Sequence, residues 1–117
     1  TYIDDIVEGI VRIVNNTPQC DTQWDVTKPD PSCSTAPYKI YNIGNSQPIC
    51  LMDFIQAIEK AIGKKAEKTF LPMQPGDVYQ TYADTSTLEQ ELGFKPCKSI
   101  VEGVQETIKW YKEFYKL

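Results

Sequence analysis

Apolar residues recur at helical spacing in four stretches of the chain, and segments rich in proline, glycine and polar residues separate them. The first stretch holds Ile6, Val7, Ile10, Val11, Ile13 and Val14, more apolar positions than one face of a helix needs. Such a helix is expected to be covered on two sides, and a lone small domain rarely has the material for that. Asp5 with Glu8 has the spacing of a capping box, with Asp as the cap. Asn15-Asn16-Thr17-Pro18 ends the pattern. Leu51, Phe54, Ile55, Ile58 and Ile62 predict a second helix over residues 51–62, stopped by Gly63, with Lys64-Lys65 at its negative end. A third is expected over 84–92, opened by Asp84 or Ser86 and closed by Gly93, Phe94 and Pro96. Ser99 with Glu102 is a capping box for the last helix, along which Ile100, Val104, Ile108, Tyr111 and Tyr115 share a face.

Strand signals are fewer. Residues 38–43 alternate weakly and run into Gly44-Asn45, so a short strand and turn are expected there, with another strand at 68–71. Thr1-Tyr2-Ile3 reads as the end of a strand. Residues 18–37 show no periodicity and are rich in proline, aspartate, serine and threonine, which makes a long irregular loop. The expected fold class is α/β, mixed and helix-dominated, over a single unit at residues 1–117 with this loop inside it. At 117 residues the chain suits one domain or a piece of a larger one, and should bury roughly two-thirds of its unfolded surface. Its first residue is Thr1 where a natural start would be Met, so further sequence upstream is expected.

Composition narrows the function classes. An apolar fraction of 41% and a charged fraction of 24% are ordinary for a globular chain. The net charge of −4 argues against a nucleic-acid partner and against an anionic membrane surface. No apolar run approaches the length of a membrane span and no signal peptide is seen. The chain has no histidine, which removes Ser-His and Cys-His nucleophile systems and imidazole metal sites together. Cys20, Cys33, Cys50 and Cys97 make no C-x-x-C pair and no zinc spacing; free thiols in the cytoplasm are expected.

Candidate chemistry is sparse. No G-x-G-x-x-G or G-x-x-x-x-G-K loop occurs, so nothing cradles a pyrophosphate at a helix start. Asp4-Asp5 reads as helix capping before it reads as a catalytic carboxylate pair. Met73-Gln74-Pro75-Gly76-Asp77-Val78 is the best site candidate, because prolines fix the backbone, glycine admits a ligand, and Gln and Asp supply hydrogen bonds. An ordinary strand-to-helix connection is the other reading of the same loop. Tyr111 and Tyr115 are expected in the core, and Trp110 is either a partner surface or a further structural aromatic. Lys64, Lys65 and Lys68 read as a solvated helix end, and Cys50 as a passive thiol before the second helix.

Six segments, in order, carry a resemblance. Thr1-Tyr2-Ile3-Asp4-Asp5-Ile6-Val7-Glu8-Gly9, Tyr41-Asn42-Ile43-Gly44-Asn45, Leu51-Met52-Asp53-Phe54-Ile55, Pro72-Met73-Gln74-Pro75-Gly76-Asp77-Val78, Ala83-Asp84-Thr85 and Trp110-Tyr111 resemble the C-terminal third of extended short-chain dehydrogenase/reductases, in particular the UDP-glucuronate 4-epimerase branch. The resemblance covers nearly the whole chain outside 18–37. It implies the C-terminal substrate-binding part of such a protein, lacking the N-terminal Rossmann domain that holds NAD. The family's glycine-rich loop and Tyr-x-x-x-Lys catalytic pair lie upstream, so no catalytic and no cofactor-binding residue is expected in this chain, and no metal. What the resemblance carries over is binding. Gln74 stands where galactose-type relatives have an Arg on the diphosphate, Asp77 matches an acidic residue near the ribose, and Thr81 matches a substrate-proximal position. The implied partners are a UDP-sugar and the missing Rossmann domain, with self-association through the face left bare; NAD is implied for the full-length parent and not for this chain alone. A weak nucleotide-sugar-binding module, a UDP-galactose-type epimerase and a 4,6-dehydratase remain the alternatives.

Overall fold

The computed structural model describes residues 1–117. Four helices follow in order: α1 (Ile3–Val14), α2 (Leu51–Ile62), α3 (Ser86–Leu92) and α4 (Ile100–Tyr115). The helix-dominated reading holds, and α2 has the expected bounds. Gly63 and Gly93 close α2 and α3 in the left-handed conformation, with φ of 83° and 60°, where an L side chain would be strained. Ser99 and Glu102 form the reciprocal capping box at the start of α4.

Other expectations change. α1 starts at Ile3 behind Tyr2, and no side chain caps it. Asp5 instead accepts a hydrogen bond from the Lys98 backbone N–H at 3.0 Å, and Glu8 pairs with Arg12 one turn on at 2.6 Å. The Asp5–Glu8 spacing thus ties α1 to the α4 entry and to itself. No side chain caps α3 either; Asp84 receives the Ser86 N–H at 3.0 Å just before it. Neither 38–43 nor 68–71 pairs into a sheet, and Thr1-Tyr2-Ile3 is no strand end. The one ladder-like contact is an isolated antiparallel bridge between Cys33 and Lys39. A strand needs a neighbour to satisfy its backbone groups, and no second strand lies alongside.

The core is small. Ala57, Leu88 and Val104 are its buried apolar side chains, with Pro96 enclosed beside them. α2 packs on α4, while α1 and α3 join through polar ties and close backbone approaches. A Cβ at Gly103 would meet the Tyr2 ring at 3.4 Å, and one at Gly9 would meet Ile43 and Phe94 at 3.2 and 3.3 Å. Arg12 donates to the carbonyls of Leu92 and Gly93 at 3.3 and 3.2 Å while lying over the Phe94 ring. Across the α3 surface, the Tyr41 hydroxyl donates to Glu91 at 2.6 Å and the Lys39 ammonium pairs with the same carboxylate at 2.9 Å. The 18–37 loop is built from turns in which Asp21, Asp25 and Asp30 accept the backbone N–H two residues on, the ordinary local use of Asp.

The expected two-thirds burial is not reached. The accessible surface is 9386 Å², against roughly 6,500 Å² for a compact monomer of this mass. The radius of gyration is 18.9 Å, against about 13 Å for a compact chain of this length. Tyr111 and Tyr115, expected in the core, are exposed, because α4 runs four residues longer than α2 and extends beyond it.

With so few buried side chains, each matters. Leu88→Ala is expected to cost about 3 kcal/mol, read as a lower urea midpoint. The Lys39–Glu91–Tyr41 cluster sets a pH signature. Partial burial and the adjacent Glu91 push the Tyr41 phenol up to about 12. The Tyr41 and Lys39 hydrogen bonds hold Glu91 below the usual carboxylate range. The stability supplied by neutral Tyr41 is complete below the ordinary tyrosine value of about 10 and is lost as pH rises through about 12. That from ionised Glu91 is present above the ordinary glutamate value and is lost as pH falls below it. Thermal melts should therefore show a two-sided loss. Tyr41→Phe should flatten the alkaline side, and phenolate absorbance should show one tyrosine of the seven titrating late.

Candidate functional site

Three of the segments that carry the resemblance converge in space although they are far apart in sequence. Asn45 donates its backbone N–H to the Thr1 hydroxyl at 3.1 Å, and its side-chain amide donates to the Lys98 carbonyl at 3.3 Å. Ser46 donates to the Ala83 carbonyl at 2.8 Å, and its hydroxyl lies 2.6 Å from that of buried Thr85. The Asn42 amide donates to the Asp84 carbonyl at 3.2 Å. Gly44 makes this lacing possible, since a Cβ there would lie 2.9 Å from the Ala83 Cβ, inside the contact limit. The chain thus brings its start, residues 42–46 and residues 83–85 to one junction.

Beside that junction opens a groove of about 320 Å³. Phe54 and Ile58 of α2 and Val104 and Ile108 of α4 form its apolar floor, and Thr1, Asn45, Lys98 and Ser99 its polar rim. The Lys98 ammonium stands 5.1 Å from the Tyr2 ring centre, which holds that cation at the mouth. A second groove, at the C-terminal end of α2, is lined by Gln56, Glu59, Lys60, Gly63, Lys64, Lys65 and Lys68. There Lys68 is engaged by Glu59, and the lysines face the negative end of the helix.

The residues singled out from sequence lie elsewhere. Gln74 and Asp77 stand at the two ends of a turn in which the Gln74 carbonyl accepts the Asp77 N–H at 3.2 Å. Pro75 and Gly76 occupy the central positions, and Gly76 has φ 96°, the arrangement of a type II turn. The turn brings Gln74 and Asp77 near each other. Thr81 follows four residues later, and all three are exposed and line neither groove. They sit within residues 62–82, every one of which is exposed; Phe70, Leu71 and Tyr79 are 78%, 74% and 96% accessible. No strand precedes this loop, which connects α2 to α3 as an open, solvent-exposed segment.

The junction at Thr1, Asn45 and Lys98 was not singled out from sequence. Its polar groups are scattered over nearly a hundred residues, and only the short spacing within Tyr41-Asn42-Ile43-Gly44-Asn45 marks one of its parts. Cys50 precedes α2 without capping it. All four cysteines are unpaired. The described structure contains no cluster of metal-ligating side chains, and no helix is long and apolar enough to cross a membrane.

Comparison with known proteins places this geometry. No family model matches the chain. It is 47% identical over 116 residues to the protein CapI of Staphylococcus aureus, covering 99% of this chain and 35% of that protein. It is 42% identical over 117 residues to a probable UDP-glucuronate 4-epimerase of Rhizobium meliloti, covering 99% and 34%. Among solved structures it superposes, with a TM-score of 0.71 and 30% identity, on a tyrosine-to-phenylalanine mutant of the UDP-glucuronic acid 4-epimerase from Bacillus cereus. That protein was crystallised with UDP-4-deoxy-4-fluoro-glucuronic acid and NAD, and the match covers 98% of this chain and 32% of that one. The chain spans about a third of the length of the curated relatives it matches. From end to end the chain is similar, in sequence and in fold, to one portion of UDP-glucuronate 4-epimerases.

Proposed function

We propose that this chain is the substrate-side portion of an NAD-dependent nucleotide-sugar 4-epimerase, whose full-length form interconverts UDP-glucuronate and UDP-galacturonate in the cytoplasm. The observation that carries the reading is the end-to-end similarity to a third of such enzymes, together with a surface left unfinished. The outer stripe of α1, at Ile3, Val7, Ile10 and Val14, is exposed and has the spacing of a helix face made to be covered. A preceding Rossmann domain is the partner that this reading supplies.

The residues of the chain do not fit NAD. Gly63 and Gly93 close helix C-termini and Gly76 lies in the 74–77 turn. None stands at a helix N-terminus, where backbone N–H groups would receive a pyrophosphate. No hydride step is therefore assigned to these residues, and the chain by itself is inactive in this reading. Its contribution is binding. Gln74 and Asp77, held together by the Pro75-Gly76 turn, present an amide and a carboxylate with no charge to neutralise the diphosphate. Their role is to hydrogen-bond the nucleotide once another domain covers the loop, with Thr81 beside them.

Two measurements test this. Titrated with UDP, the 117-residue chain should show no saturable binding tighter than about 1 mM, roughly −4 kcal/mol; tighter binding would make it a self-sufficient nucleotide-sugar module, and tight NAD binding would overturn the reading. In the full-length protein, Gln74→Ala or Asp77→Ala should raise KM for UDP-glucuronate about tenfold, a loss of about 1.4 kcal/mol. No conversion of UDP-glucuronate by the unaltered protein would sink the substrate assignment.

A further inference from the structure

The open segment between α2 and α3 is tied to the rest of the chain only at its ends. Residues 69–82 make one hydrogen bond, the internal Gln74–Asp77 bond of the turn, and every one of them is exposed. A stretch of this kind opens at almost no cost in free energy. Where Gln74, Asp77 and Thr81 stand is therefore decided by the two tethers.

The first tether lies at the α2 end. One carboxylate oxygen of Glu59 accepts the Ala66 N–H at 2.9 Å and also engages the Lys68 ammonium. From Lys68 to Gln74 the chain can span about 20 Å, too far for this tether to fix the turn. The second tether is closer to a binding residue and more elaborate. Residues 42–46 hold three successive residues, 83–85, each through a different group. The Asn42 amide donates to the Asp84 carbonyl at 3.2 Å, and the Ser46 hydroxyl donates its only proton to the Ala83 carbonyl at 2.8 Å. With that proton committed, the 2.6 Å contact between Ser46 and Thr85 runs the other way, the Thr85 hydroxyl donating. Thr85 is buried and Ser46 half-buried.

Ser46 is also one of two non-glycine residues with a positive φ, at 51°, a left-handed conformation that an L side chain adopts at a cost. Glycine would take it freely. Serine supplies the hydroxyl instead, and that hydroxyl is what spans the two segments. Its neighbour Asn45 grips Thr1 and the Lys98 carbonyl, so consecutive residues join the α4 entry to the exit of the open segment. Thr81 precedes Ala83 by only about 7 Å of chain, whereas Asp77 and Gln74 stand roughly 20 and 30 Å of chain away.

We propose that Ser46 is a positioning residue for substrate binding, which clamps Ala83 and Thr85 and so places Thr81 against the nucleotide-sugar. This rests on the binding role proposed above for Thr81. The test is steady-state kinetics and thermal melting of the full-length protein with UDP-glucuronate. Ser46→Gly removes the hydroxyl but relieves the left-handed strain, so the melting temperature should hold to within a few degrees. KM should rise about fivefold with kcat unchanged, the mark of binding lost equally from ground and transition states. Thr85→Val keeps the buried shape, removes the hydroxyl that donates to Ser46, and should raise KM in the same direction; it carries the test if Ser46→Gly does not fold. Coupling separates positioning from packing. On a Thr81→Val background Ser46→Gly should add nothing to KM, whereas on a Gln74→Ala background its effect should appear in full. An unchanged KM in the folded Ser46 and Thr85 variants overturns the inference, and so does a Ser46→Gly effect that persists undiminished on the Thr81→Val background. If Thr81→Val raises KM and Ser46→Gly does not, only the clamp is wrong. If Thr81→Val itself leaves KM unchanged, the binding role of Thr81 fails and the inference falls with it.

Discussion

α2 lies against the first half of α4, the one helix pair that packs closely, and it supplies Ala57 and Val104 to the chain's few buried apolar side chains. Everything else is attached to the pair by connectors. Tyr2 rests on Gly103, Asp5 holds the Lys98 N–H, and Asn45 reaches the Lys98 carbonyl, so the entry to α4 becomes the point where three distant segments meet. Hydrogen bonds of this kind contribute about 1 kcal/mol each and are lost without cooperative collapse behind them. The molecule is therefore set by the geometry of a few ties more than by the volume of a core.

Much of this was legible in the residues. The bounds of α2, the glycine stops at Gly63 and Gly93, and the Ser99–Glu102 box follow from local rules that need no tertiary context. The double apolar face of α1 predicts cover on two sides, but within this chain Ile3, Val7, Ile10, Val11 and Val14 are exposed. What local rules could not supply was the partner. The alternation at 38–43 is a property of a strand, but a strand forms only beside another. Tyr111 and Tyr115 have core spacing, but a core forms only where the neighbouring helix is long enough to reach them. The Asp5–Glu8 pair failed as a cap because Asp5 found a better donor 93 residues away.

The candidate site divided in the same way. The turn that holds Gln74 and Asp77 was legible because Pro75-Gly76 is written in adjacent residues, and the structure forms that turn. The junction of Thr1, Asn45, Ala83 and Lys98 was missed because it is assembled from single polar residues in separate segments, each unremarkable alone. A turn made of adjacent residues is thus visible in sequence, whereas the lacing exists only in three dimensions.

Arg12 has a consequence for the shortest helix. α3 is seven residues long, too short to persist alone in water, and the carbonyls at its C-terminal end are gathered by a guanidinium from α1, 80 residues earlier. α3 is accordingly held from outside, by a clasp that α1 supplies, and its last turn is only as secure as the placement of α1.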